Sequence, residues 1–134
     1  MSLIKDLEQI NHDIPLSVAI EMTKKFRSEK KKILKPEYEG KDILPHCETF
    51  SRSAFDEILQ QPGCVAVRAY FAMDNDKNVK LIFVGVTDKN EDILPLSEGS
   101  GISASGSRSA GGVIKEEGQR CPPICPTGSP LIQP

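Results

Sequence analysis

The sequence predicts an α+β fold: two helices packed on a small antiparallel sheet built around a central hairpin at 64–88, with an irregular Gly/Ser/Pro-rich C-terminal tail. Three observations predict it. Residues 16–34 contain no Gly or Pro and carry apolar side chains at helical spacing. Two β-prone runs, CVAVRAYFAM and VKLIFVGVTD, flank a short polar tip. Beyond residue 96 the chain turns to glycine and serine and then to proline, a composition with little to bury.

Asp13 and Pro15 are start signals for the first helix, LSVAIEMTKKFRSEKKKIL. Ala19, Met22, Phe26 and Ile33 form one stripe, which such a helix buries. Lys24, Lys25, Arg27, Lys31, Lys32 and Lys35 fall mostly opposite, giving a basic outer face. Lys35-Pro36 ends the helix, because the residue before a proline is pushed out of helical backbone. Residues 36–50 connect, punctuated by Gly40 and Pro45. In SRSAFDEILQQPG, Ser51 or Ser53 can cap a second, shorter helix that presents Phe55, Ile58 and Leu59 and stops at Pro62-Gly63.

The hairpin follows, with Asp74–Asn78 as its tip. Pairing Met73 with Val79 places Phe71/Leu81, Ala69/Phe83, Val67/Gly85 and Val65/Thr87 on one nearly apolar face, which should pack on the helices. The other face carries Cys64/Asp88, Ala66/Val86, Arg68/Val84 and Tyr70/Ile82. A two-stranded hairpin is marginal alone, so Ile82, Val84 and Val86 need a cover. The candidates are the connection at 42–44, the tail around 113–117, or a second copy of the chain, and self-association is the expectation.

Two segments result: a small α+β domain at 1–96, and a Gly/Ser linker with a Pro/Cys-rich tail at 97–134. Within the tail, VIKEEGQR can form one short strand, whereas the prolines of CPPICPTGSPLIQP favour turns and extended backbone. DILP occurs at 42–45 and again at 92–95 with unmatched flanks, which reads as chance or shared turn chemistry.

Bulk properties exclude some functions. Apolar residues make up 38% of the 134, and the net charge is −2, so the chain is not a generally basic nucleic-acid binder. No run approaches eighteen apolar residues, so no membrane span is expected. Lys5, Asp6 and Glu8 stand where a secretory signal needs an apolar run. The chain therefore reads as cytoplasmic, with its four cysteines as thiols or ligands rather than structural disulfides.

Cys121 and Cys125 have the spacing of a zinc half-site, and His46 with Cys47 could supply the other half. The plainer alternative is a rigid turn with two small free side chains, or a reversible Cys121–Cys125 disulfide. The basic helix face could meet phosphates or an anionic surface, but no aromatic interleaves its lysines, so a solvated face is the better reading. Arg68 in mid-strand needs a carboxylate, from Asp88 or Glu57, or a ligand anion. If its face forms a pocket, Arg68 and Tyr70 are the ligand contacts. DNDKN lacks the glycine and glutamate of a calcium loop, GSGISASG lacks the Lys-Ser/Thr of a phosphate loop, and neither His12 nor His46 neighbours a nucleophile.

ILQQPGCVAVRAYFA followed by VKLIFVGVTD resembles a group of small bacterial proteins of no known activity. These have a helical first half, a Q-P-G-C element entering a strand with an R-x-Y step, and a V-G-V strand after a polar turn. The likeness covers residues 15–96, and some of the group also end on a Gly-rich stretch with C-P-P-x-C. It implies this segmentation and no site. The expected function is a non-catalytic protein–protein interaction module that associates with itself or a partner protein, without nucleic acid. The alternative is a small zinc- or ligand-binding protein or enzyme using the cysteines or the sheet face.

Overall fold

The computed structural model describes residues 6–95, 107–109 and 112–133. Most of the stretch predicted as a linker lies outside them. The chain is α+β, and its residues gather into two units, each assembled from separate stretches.

The first unit takes in 50–72 and 81–117. Its helix α2 (Arg52–Leu59) begins where the Ser51 hydroxyl accepts from the Ala54 amide at 3.3 Å, as the sequence suggests. It ends before Pro62-Gly63, where Gly63 has φ +80°, a backbone only glycine adopts freely. Strands β2 (Cys64–Met73) and β3 (Val79–Thr87) form the hairpin, whose tip closes through Asp74 N–H to Asn78 O at 3.1 Å. Three short strands complete the sheet: β4 (Asp92–Pro95), β5 (Ser107–Ser109) and β6 (Ile114–Lys115). The order is β2-β3-β4-β5, with β6 also on β3. The β4 and β6 pairings with β3 are antiparallel, whereas β5 lies parallel to β4, so the sheet is mixed at that edge.

One edge of β3 is thus covered in two pieces. Phe83 and Val84 pair with Lys115 and Ile114, and Gly85 and Val86 pair with Ile93 and Asp92. Val84 and Val86 are 2% and 1% exposed. The stretch at 113–117 is one of the covers anticipated; the second DILP is not. Because the chain's own residues seal this part of the hairpin, Val84 and Val86 supply no reason to self-associate, contrary to the expectation from the sequence.

The other face meets α2. Phe83 packs edge-on to Phe55 and Phe50, with ring centroids 5.0 and 4.8 Å away. Ile58 is fully buried. A Cβ on Gly85 would stand 2.7 Å from Gln61 Nε2 and 2.9 Å from Cys64 Sγ, so glycine is required there by close approach. Buried Gln61 cannot easily yield. Its amide donates to Ile58 O and its carbonyl accepts from Val113 N–H, both at 2.9 Å, tying the tail strand to the end of α2.

The second unit takes in 12–49, 73–80 and 118–134. It holds α1 (Leu16–Ile33) and a two-stranded ribbon of β1 (Cys47–Thr49) and β7 (Gln119–Cys121). Here the sequence reading of α1 needs correction. The more buried residues are Ala19, Ile20, Thr23, Arg27, Glu29 and Lys30, while Met22 and Ile33 are 63% and 75% exposed. The reason is the scarcity of apolar partners: among the described residues of this unit, only Ile43 and Cys121 are buried and apolar. What the unit offers α1 instead is acceptors. Lys30 Nζ donates to Leu44 O at 2.8 Å and meets His46 Nδ1 at 3.1 Å.

Candidate functional site

Arg68 and Tyr70, the predicted ligand contacts, lie on β2 in the first unit. Arg68 donates to Asp92 Oδ1 and Asn90 Oδ1, and the Tyr70 hydroxyl donates to Asp92 Oδ2. The carboxylate foreseen for Arg68 therefore comes from Asp92 rather than Asp88 or Glu57; Glu57 pairs with Lys115. Asp92 reaches this place because β4 sets it opposite Val86 on β3. The hydrogen bond to Asp92 raises the Tyr70 pKa, keeping its phenol protonated. Arg68, Tyr70 and Asp92 thus form one hydrogen-bonded group, which Asn90 extends.

The other four predicted residues meet in the second unit. The β1–β7 ladder sets Cys47 opposite Cys121, Glu48 opposite Arg120 and Thr49 opposite Gln119. His46 N–H donates to Cys121 O at 2.7 Å. The proline-rich turn returns the chain so that the Cα atoms of Cys121 and Cys125 lie 4.7 Å apart, within disulfide range, and the two are joined. This differs from the expectation of thiols or metal ligands and is the pairing left open as the alternative; Cys47 and Cys64 remain free. The disulfide occupies two of the four donors nominated for zinc. Among the described residues no group of three or more His, Cys, Asp or Glu is arranged to hold a metal ion.

Beside this corner is a cleft of about 620 Å³ lined by Lys24, Arg27, Ser28, Lys30, Lys31, Asp42, His46 and Ile132. Its cations are already engaged in part. Arg27 donates to the carbonyls of Leu131 and Gln133, fastening the tail to α1. Lys30 also stands 5.6 Å from the Phe26 ring centroid. With the ammonium donating to Nδ1, His46 is neutral and carries its proton on Nε2. Sequence reasoning left Lys30 out of both the apolar stripe and the basic face and gave it no role. The available signal was its position, four residues after Phe26 and three before Ile33, which puts it beside the apolar stripe.

Burial lowers the Lys30 pKa most, Asp42 opposes, and Lys31 and Arg27 add to the lowering. Burial, then Lys30 and Arg27, also hold His46 below its ordinary 6.5, against the pull of Asp42. The folded chain therefore protonates His46 at lower pH than the unfolded chain does. Above about pH 6.5 this costs nothing; as pH falls below it, the unfolded state binds the proton first and stability drops until the folded pKa is passed. Urea midpoints should fall in that window, and Lys30→Met should raise the His46 pKa measured by NMR titration. An unchanged His46 titration in Lys30→Met would contradict the contact.

Among the described residues no helix is long and apolar enough to cross a membrane. Compared with known proteins, the chain matches no family model, and no curated protein or solved structure is detectably similar to it.

Proposed function

We propose that this chain is a non-catalytic interaction module that works as a homodimer joined through α1. The observation that carries the proposal is the exposure of that helix's apolar stripe: Met22 63%, Phe26 39% and Ile33 75%. Met22, Phe26, Glu29 and Ile33 alternate at spacings of four and three, the pattern of a helix–helix seam.

Charge favours a second copy as the occupant. Lys25 and Lys32 border the stripe, Glu29 lies on it, and Lys32 already pairs with Glu29 at 3.0 Å. Two antiparallel copies of α1 crossing near Phe26 bring Glu29 of each beside Lys25 of the other. Lys24 and Lys31 lie away from the seam on the cleft side, so like charges are kept apart. One helix of eighteen residues is about 27 Å long and buries less than the roughly 800 Å² per partner of a standard interface. The dimer is accordingly weak and in exchange with monomer.

Sedimentation across a concentration series tests this. The weight-average mass of the wild type should climb from one chain toward two, and Phe26→Glu and Ile33→Glu should each hold it at one with an unchanged circular dichroism spectrum. A wild type that stays at one chain throughout would end the proposal.

A further inference from the structure

We propose that Cys47, Cys121 and Cys125 form a thiol–disulfide exchange site in which Cys121 has two alternative partners. The first is the one it holds, Cys125, four residues along the turn. The second is Cys47, directly opposite Cys121 in the β1–β7 ladder and carrying a free thiol. Directly opposed residues of an antiparallel pair have Cα atoms about 4.5–5.5 Å apart, inside the range of about 4.4–6.8 Å that a disulfide spans. Either bond therefore suits the same backbone.

Exposure assigns the roles. Cys121 is fully buried, whereas Cys47 and Cys125 are both exposed. A solvent thiol cannot reach the Cys121 sulfur, but its cross-strand neighbour can. In the exchange, the Cys47 thiolate attacks Cys121 Sγ. A Cys47–Cys121 bond forms as the Cys121–Cys125 bond breaks, the electron pair leaves on Cys125 Sγ, and Cys125 takes up the proton that Cys47 gave to solvent. One disulfide and one thiol exist before and after, so no outside oxidant or reductant enters. The result moves the free thiol from the strand to the exposed proline-rich turn.

There it can take a small-molecule disulfide as substrate. The Cys125 thiolate attacks one sulfur of RS–SR, forming Cys125–SR and releasing RS⁻. With no free thiol added, Cys125 becomes a nucleophile toward RS–SR only through Cys47, which a merely structural disulfide would not do.

The test uses the full chain and oxidised glutathione. Aliquots are quenched with acid, alkylated without reduction, and mapped by peptide mass spectrometry. Two linkages are expected in the wild type, 121–125 and 47–121, with the alkyl label on Cys47 in the first and Cys125 in the second. Glutathione should appear on Cys125 in the wild type and be reduced at least tenfold at that position in Cys47→Ser. Cys125→Ser, oxidised, should carry the 47–121 bond. The proposal is overturned if the wild type holds only the 121–125 linkage and its glutathione adducts are confined to Cys47 and Cys64. The wild-type map decides this even if a variant fails to fold.

Discussion

Arg120→Ala should lower the free energy of unfolding of the second unit by about 3–5 kcal/mol, the cost of breaking a buried ion pair by removing one partner. The Glu48 side chain is 2% exposed and that of Arg120 16%. Arg120 Nη1 donates to Glu48 Oε1 at 3.2 Å and to Val79 O; Nη2 donates to Asp42 O at 2.8 Å. Glu48 Oε2 is buried with no hydrogen-bond partner among the described residues, so the carboxylate depends on Arg120 for its charge compensation. Without the guanidinium, one buried charge and two backbone acceptors lose their donor together. Since small domains hold only about 5–15 kcal/mol in all, the β1–β7 ribbon should melt at a lower temperature in the variant.

A companion variant separates charge from scaffolding. Glu48→Gln removes the anion but leaves Arg120 its carbonyl partners, and it should cost clearly less than Arg120→Ala. Urea denaturation followed by circular dichroism, with the Glu48 and Arg120 amide resonances as local reporters, measures both. Equal costs for the two variants would mean the clamp on the carbonyls contributes nothing, and a loss under 1 kcal/mol for Arg120→Ala would mean that the pair is solvated.

These two residues mark what could be read from the sequence and what could not. Features set by neighbours along the chain were legible: the Ser51 cap, the Pro62-Gly63 stop, the polar tip at 74–78, and a strand in VIKEEGQR, which became β6 and β7. Features set across the chain were not. Arg120 and Glu48 are separated by 72 positions and Arg68 and Asp92 by 24, and nothing local marks either pair. Conversely, the four residues nominated for zinc do share one corner, yet spacing alone could not tell a ligand pair from a disulfide. The orientation of α1 failed for a different reason. Its apolar stripe is plain in the sequence, but a stripe shows which face seeks cover, not whether the unit has apolar surface to give. Only the scarcity of buried apolar side chains around α1 explains why Lys30 is inward and Met22 outward.

Ile58→Ala should destabilise the first unit by about 2–5 kcal/mol. Ile58 is fully buried on α2, and its Cγ2 lies 3.4 Å from where a Cβ on Gly85 would stand. The size of the loss depends on whether neighbours can move into the space. Here they are poorly placed to do so. Gly85 has no side chain to extend, its strand is held by β4 at Ile93, and Gln61 is fixed at both ends by Ile58 O and Val113 N–H. The cavity should therefore persist, and the cost should fall in the upper half of that range. Leu59 is the natural control, one position along the same helix but 52% exposed; Leu59→Ala should change stability by no more than about 0.5 kcal/mol. The comparison isolates packing from helix propensity, because both substitutions put alanine into the same helix. If urea midpoints fall equally for the two variants, α2 does not rest on β3 through Ile58, and the requirement for glycine at position 85 loses its cause.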